Sequence, residues 1–373
     1  MKPAGSGTKD KENAKNVHRT PVSRRRFLSA SAVATVTGLA GCASDSGAEQ
    51  LSVTGYPGPY ADGLEDEIGP IFEEETGAEL VVNRVSAEHI SEIQSAPEDN
   101  PPYDAAAVTG LSYKIGRNEG LFMELRDENI PNQDVIYDYL MNYRPTEVGL
   151  PVTGGLWNMV YPDSLDWEPE AWSDLTEAEA ENIALRSDFW NFPVHVAAVA
   201  SQAAPLAEEL QDESMHDAVF DMFDQMDIAS WISSPADMWQ LFENDVIDIG
   251  MSNTEETLAD ERVIDGDYSV TIPTETAGYL DMFVVVRGTD KRDLAEEYIN
   301  FMLTREVQET WAEVAPNLYA NSNVQYPGDL QDIIPTTEEQ FQGIAFPDWN
   351  TPLFDFRSEL ADRFNSIIAD VED

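Results

Sequence analysis

The chain has almost no cysteine or histidine and, past residue 41, almost no lysine. Its 373 residues include one cysteine, Cys42, and four histidines. A single thiol excludes an internal disulfide and a cysteine-rich zinc site. Four scattered imidazoles argue against a histidine-built metal centre, so no metal and no cofactor is expected. Positive charge is scarce: 21 Lys and Arg stand against 71 Asp and Glu, a formal net charge of −50. So negative a surface repels phosphates, which excludes nucleic acid as a partner. No segment past residue 41 carries the 18 or more consecutive apolar residues of a membrane-spanning helix. Apolar residues are not lacking. They make up 42% of the chain, with eight Trp, which excludes a wholly disordered acidic polymer. The length suits two domains with a sizeable core.

The charge divides unevenly. Residues 1–41 hold eight basic and two acidic side chains, which leaves 13 basic and 69 acidic for the rest, a net of −56. Only Lys114 and Lys291 of those 13 are lysines. The acids are spread along the whole body, a pattern read as adaptation to molar salt, where the screening length falls to about 3 Å and self-repulsion is tolerable. Capture of cations is the functional alternative for the same field.

The N-terminus reads as an address followed by an anchor. Ser23-Arg24-Arg25-Arg26-Phe27-Leu28 precedes a small apolar run from Leu28 to Ala40, too short for a permanent span. The pair Arg24 and Arg25 resembles the twin-arginine export signal, read by a translocase for folded cargo. Leu39-Ala40-Gly41-Cys42 resembles a lipobox, in which the thiol takes a diacylglyceryl group and becomes the new N-terminus. Residues 1–41 are therefore expected to be a leader, 42–50 a polar tether, and the remainder a body held at the outer face of the cytoplasmic membrane by lipid on Cys42.

The body reads as α/β. Leu51 to Thr54, Ala78 to Val85 and Tyr103 to Thr109 are strand-like, the third through the small apolar run Ala105-Ala106-Ala107-Val108 of a buried parallel strand. A helical period at Leu64, Ile68, Ile71 and Phe72 closes at Gly77, with Pro70 expected to split or kink it. Val148 to Tyr161 reads as a crossing into a second domain. Beyond it the pattern predicts an acidic helix over 173–185, helices over 217–226, from Ser234, over 294–303 and over 354–371, and strands over 247–251 and 279–286. Strands alternating with helices imply parallel sheets, whose ligands sit beyond the carboxyl ends of the strands. Thr109 and Ser112 after the third strand, and Ser252 and Asn253 after the strand at Ile249-Gly250, are candidate contacts on that ground. Trp157, after the crossing, is a further candidate, with core packing as its alternative role.

Several stretches, in order and over most of residues 51–325, resemble extracellular solute-binding proteins of ABC importers, closest to the spermidine/putrescine-binding group. They are Tyr103-Asp104-Ala105-Ala106-Ala107-Val108-Thr109 with Arg117-Asn118-Glu119-Gly120-Leu121, Val148-Gly149-Leu150-Pro151, Trp172-Ser173-Asp174-Leu175, Val246-Ile247-Asp248-Ile249-Gly250, Pro273-Thr274-Glu275 to Val285, and Ala295 to Leu303 with Glu306-Val307-Gln308. The resemblance implies a two-lobe periplasmic-binding-protein-like (type II) α/β fold with the ligand cleft between the lobes. Lobe 1 takes residues 51–149 and 279–322, lobe 2 takes 150–278, and 323–373 packs on lobe 2. It implies a monomeric receptor, with no catalytic group, that captures a small solute and hands it to a membrane permease. A polyamine or other organic cation is the first ligand expected; thiamine, iron, phosphonate and sugar are alternatives within the class. A calcium-binding surface protein and a secreted hydrolase are alternatives outside it. No nucleophile elbow, Walker loop, His-Glu-x-x-His or dinucleotide fingerprint occurs. By the same resemblance Asp281 is an acidic ligand contact, Tyr279 an aromatic that stacks on the ligand, and Tyr60 the aromatic after the first strand. The chain departs from the polyamine group at Leu111-Ser112, where that group carries aromatics, and at Asn253, near a Trp of that group.

Overall fold

The computed structural model describes residues 49–86 and 88–372, together with the two-residue strand Lys15–Asn16. Arg24, Arg25 and Cys42 lie outside the described residues. Nine strands organise the body: β1 Gln50–Gly55, β2 Glu79–Arg84, β3 Ala105–Thr109, β4 Gly149–Pro162, β5 Ile183–Arg186, β6 Ile228–Ile232, β7 Ile249–Asn253, β8 Tyr268–Ile272 and β9 Thr276–Val285. They follow the order β2-β1-β3-β9-β4-β7-β5-β6, with β8 against the outer half of β4.

Two long strands join the lobes. β4 pairs antiparallel with β9 from Gly278↔Leu156 to Val284↔Gly149. The farther end of β4, Trp157 to Val160, pairs with β7 in the second lobe. The other edge of β9 pairs with β3, setting Asp281 opposite Thr109. A register shift falls between Asp281 and Met282, a bulge of the kind that re-aims side chains near sites. All ten residues of β9 and thirteen of fourteen in β4 are buried, as strands covered on both faces require.

One face of the lobe 2 sheet packs on the helices Asn191–Ser201, His216–Gln225 and Leu353–Glu372 through Phe192, Val196, Phe223 and Phe364. In lobe 1, Ile90, Ile93, Tyr113 and Phe122 cover one sheet face. Phe72, Tyr298, Ile299 and Trp311 belong to a larger core that continues beneath both lobes. Residues 323–373 divide between the lobes. Phe341 packs on Tyr137 and Tyr139 of lobe 1, whereas Leu353, Leu360 and Phe364 belong to the lobe 2 core.

Local chemistry explains where pattern and structure part. Pro70 has no N–H to give, and the turn before it opens into a π-helical segment, Leu64–Ile68, with the Gly69 N–H reaching the Leu64 carbonyl. Gly77 ends the helix in the left-handed region at φ 79°, where glycine alone is unstrained. The acidic helix expected over 173–185 does not form. Asp174 Oδ2 accepts from the Glu170 and Ala171 N–H groups at 2.8 and 2.9 Å, and Trp172 Nε1 donates to Thr276 Oγ1 at 2.9 Å. These contacts hold one short 3-10 turn, Trp172–Thr176, after which Ile183–Arg186 pairs parallel with β6 and β7. Sheet pairing outweighs a helix propensity worth only tenths of a kcal/mol per residue. Two of the described histidines are held by backbone carbonyls: His195 Nδ1 donates to the Asn191 carbonyl at 2.6 Å and His216 Nε2 to the Leu210 carbonyl at 3.1 Å.

Candidate functional site

A cavity of about 160 Å³ lies between the lobes, beside the crossing strands. Lobe 1 contributes Tyr56, Pro57, Ser86 and Thr109 from the loops at the ends of β1, β2 and β3. Lobe 2 contributes Trp157, Arg186, Asp188, Phe189, Phe192, Ser233, Ser234, Pro235, Asn253, Glu255 and Glu256, and the crossing strand β9 contributes Tyr279. Carboxyl strand ends supply most of the wall, where α/β sheets bind ligands. A larger hollow of about 600 Å³ opens on lobe 2 between Trp172, the 199–205 turn and Pro273–Glu275. Its lining includes two exposed carboxylates, Glu170 and Glu275, and no basic side chain.

The walls are aromatic. Trp157 and Phe192 meet at 4.8 Å between ring centroids, Tyr279 lies 5.7 Å from Phe192 and 5.9 Å from Trp157, and Phe189 lies 5.2 Å from Phe192. Tyr56 faces them from lobe 1, its ring edge-on to Tyr60 at 5.3 Å. Burial first, then the charges of Asp281 and Glu255, push the Tyr56 hydroxyl well above its ordinary range. Burial and the same two carboxylates do so for Tyr279, Glu255 ahead of Asp281. Both rings therefore stay neutral at physiological pH. Close approach is built into the crossing: a Cβ at Gly155 would stand 2.5 Å from the Tyr279 hydroxyl and 2.7 Å from Asn317 Oδ1.

The charges are mostly acidic. Arg186 is 5% exposed. Its Nη2 and Nε meet the two oxygens of Asp188 at 2.7 and 3.0 Å, and its Nη1 meets Glu256 Oε2 at 2.6 Å. Glu256 Oε2 also accepts from Ser252 Oγ at 3.1 Å. Glu255 is 4% exposed and accepts from Asn317 Nδ2 at 2.7 Å. Burial, then Glu256 and Asp281, push the Glu255 carboxyl well above the usual range, against the pull of Arg186.

The structure brings Tyr279, Thr109, Trp157 and Asn253 to the cavity wall. Asn253 acts there through its backbone turn: its side-chain oxygen accepts from the Glu255 and Glu256 N–H groups, capping the helix Thr254–Leu258. Four candidates stand off the wall. Tyr60 is buried behind Tyr56, edge-on to Trp311 at 4.7 Å, with no partner for its hydroxyl. Ser252 is fully buried on Glu256. Ser112 sits within the helix Gly110–Asn118, outside the lining. Asp281, two residues along β9 from Tyr279, is 0% exposed. Its Oδ2 accepts from Thr153 Oγ1 at 2.9 Å, and its Oδ1 has no partner. Burial pushes the Asp281 carboxyl up to about 7, with Thr153, Arg144 and the nearby Tyr56 hydroxyl pulling the other way. Sequence reasoning missed Tyr56, Arg186, Asp188, Glu255, Glu256 and Asn317. The cap pattern Asn253-Thr254-Glu255-Glu256 was the legible signal for the two glutamates.

Two lobes joined by long crossing strands, with an aromatic and acidic cavity at the junction, have the architecture of a protein that binds a small solute between them. Residues 68–335 match the family described as bacterial extracellular solute-binding protein, and the chain belongs to that family. Solved structures share the fold. The spermidine/putrescine ABC transporter substrate-binding protein of Streptococcus pneumoniae, in complex with calcium and HEPES, is 17% identical with a TM-score of 0.65, over 85% of this chain and 99% of that one. An ABC transporter substrate-binding protein from Bradyrhizobium japonicum is 16% identical with a TM-score of 0.70, over 85% and 99%. The TpPotD lipoprotein of Treponema pallidum is 14% identical with a TM-score of 0.70, over 86% and 99%. No curated protein matches the chain by sequence.

Proposed function

We propose that this solute-binding protein is the receptor of an ABC importer for a small organic cation, a polyamine being the first candidate. The observation that carries the reading is the cavity's composition: aromatic faces of Tyr56, Trp157, Phe192 and Tyr279, with three carboxylates (Asp188, Glu255 and Glu256) against one guanidinium. Aromatic faces attract cations, the more so when water is excluded, and an excess of buried carboxylate repels anions. The volume equals that of about five waters, which suits a compact amine. Lobe 1 is 51–149 with 279–322 and lobe 2 is 150–278, hinged on β4 and β9. Binding energy selects the closed state, which the permease reads. The reading needs no catalytic group, metal or cofactor, and it takes the protein as a monomer. The leader directs export through the twin-arginine translocase, and lipid on Cys42 holds the body outside the cell.

Titration of the purified protein with putrescine and spermidine in multimolar KCl tests the ligand class. Saturable one-to-one binding of an amine is expected, with none of a phosphonate or a neutral sugar. Binding of either of those without an amine response would overturn it. The anchor has its own check: Cys42→Ser is expected to move the receptor from the membrane fraction to the medium. Unchanged membrane retention would remove lipidation.

A further inference from the structure

We propose that Glu255 sets the charge selectivity of the cleft, with Asn317 from the opposite lobe holding its carboxylate in place. This rests on the reading of the cleft as a cation site and names the residue that makes it one.

The carboxylates at the cavity are not equivalent. Asp188 and Glu256 are engaged by Arg186 through three contacts of 2.6–3.0 Å. Those three side chains satisfy one another and keep one net negative charge. Glu255 is different. Among the described residues no cation pairs with it, and its hydrogen-bond partner is the neutral amide of Asn317. A carboxylate buried without a counter-ion is costly, and one placed on the wall of a cleft marks a functional site. Trp157 adds an independent mark. It is 2% exposed, lines the same cavity, and its indole N–H has no partner.

The position of Glu255 is fixed from both lobes. Asn253 caps its turn, and Thr254 Oγ1 donates to Asn317 Oδ1 at 3.1 Å while Asn317 Nδ2 donates to Glu255. Asn317 is itself 1% exposed and precedes Leu318–Tyr319, which pairs with β4 at Gly154 and Thr153. Asn317 is thus a positioning residue: it ties the return of lobe 1 to the first turn of a lobe 2 helix, with the carboxylate between Tyr56 and Tyr279. The charged and titratable groups around Glu255 are Glu256 on its own helix, Arg186 at the end of β5, Asp281 and Tyr279 on β9, Tyr56 after β1, and Tyr319 two residues past Asn317. Burial first, then Glu256 and Asp281 against Arg186, raise the Glu255 carboxyl and favour its neutral form more than in a free glutamate, whereas a bound cation favours the ionised form. Cation binding then releases a proton, and affinity rises with pH.

The test compares wild type, Glu255→Gln, Glu256→Gln and Asn317→Ala as full exported chains in multimolar KCl. Putrescine and spermidine affinity is measured from pH 5.5 to 9 and the thermal midpoint without ligand at each pH. Glu255→Gln is expected to weaken amine binding by about 100-fold, to flatten its pH dependence, and to leave the unliganded midpoint unchanged or higher. Asn317→Ala is expected to weaken binding by about 10-fold with the pH dependence retained. Amine binding by Glu255→Gln within threefold of wild type at every pH would overturn the assignment while leaving the cation receptor intact. If wild type binds neither amine but takes a neutral or anionic solute, the cation reading itself fails, and this assignment with it.

Discussion

Asp281→Asn is expected to make the unliganded protein more stable above pH 7 and to leave it nearly unchanged at pH 4. The side chain is fully buried at the bulge of β9, with one oxygen on Thr153 and the other without a partner. Burial holds its carboxyl near 7 in the fold, against an ordinary 3.8. The sign follows from proton counting. Between those two values the folded state binds more protons than the unfolded one, so stability falls as pH rises from about 4 to 7 and then levels off. A shift of this size corresponds to a penalty of about 2–4 kcal/mol above pH 7. Asparagine keeps the shape and the acceptor for Thr153 and removes the ionisation. Urea unfolding in multimolar KCl at pH 4, 5.5, 7 and 8.5 reads the effect directly. A loss of stability at every pH would show instead that Asp281 is ionised and matched by Arg144. The same arithmetic assigns Asp281 a role without contact. It stands behind Tyr56 and Tyr279, acts on both hydroxyls and on Glu255 through its charge, and so tunes a cavity that it does not line.

Much of this was legible because it is written in local pattern. The uninterrupted small apolar run at Ala105–Val108 can only be a strand covered on both faces, and it is β3. The turn residues around Val148–Pro151 open the crossing strand β4, Thr109 and Trp157 follow from a strand end and the crossing, and Tyr279 from the family resemblance. The rest depends on contacts far apart in sequence. Ile183–Arg186 looks helical in its acidic surroundings and becomes a strand because β6 and β7 flank it. Glu255 and Glu256 are two acids among 69, so nothing in composition separates them from a salt-adapted surface. Their burial comes from the turn after β7 folding under Asn317, 62 residues on. Asp281 reads as a ligand contact from its place beside Tyr279. The bulge after it and the layer of Tyr56 and Tyr60 above it, neither visible in sequence, put it beneath the wall.

The other large effect belongs to Arg186, one of only 13 basic residues past the leader. Arg186→Met is expected to lower the unfolding free energy by about 3–5 kcal/mol at pH 7–8, since it leaves Asp188 and Glu256, whose side chains are only 16% and 9% exposed, without their counter-ion. Burial alone would favour the neutral guanidine, yet Glu256 and Asp188 outweigh it and hold the group firmly charged. In turn, burial raises the Glu256 carboxyl and Arg186 opposes that rise. Without Arg186 nothing opposes the rise of the Glu256 carboxyl, which then takes up a proton more readily, so the loss should shrink as pH falls toward the ordinary carboxylate range. The cluster joins the end of β5 to the helix after β7, so the damage should centre on lobe 2, and lobe 1 amides should keep their hydrogen-exchange protection. A triple variant, Arg186→Met with Asp188→Asn and Glu256→Gln, should recover most of the stability, because replacing all members of a buried ion cluster costs far less than removing one. It should also retain amine binding, since Glu255 and its clamp on Asn317 are untouched. If Arg186→Met is as stable as wild type at pH 8, the cluster contributes nothing to the fold, and its three charges are free to answer to the ligand. In that case the triple variant should be the one that loses binding.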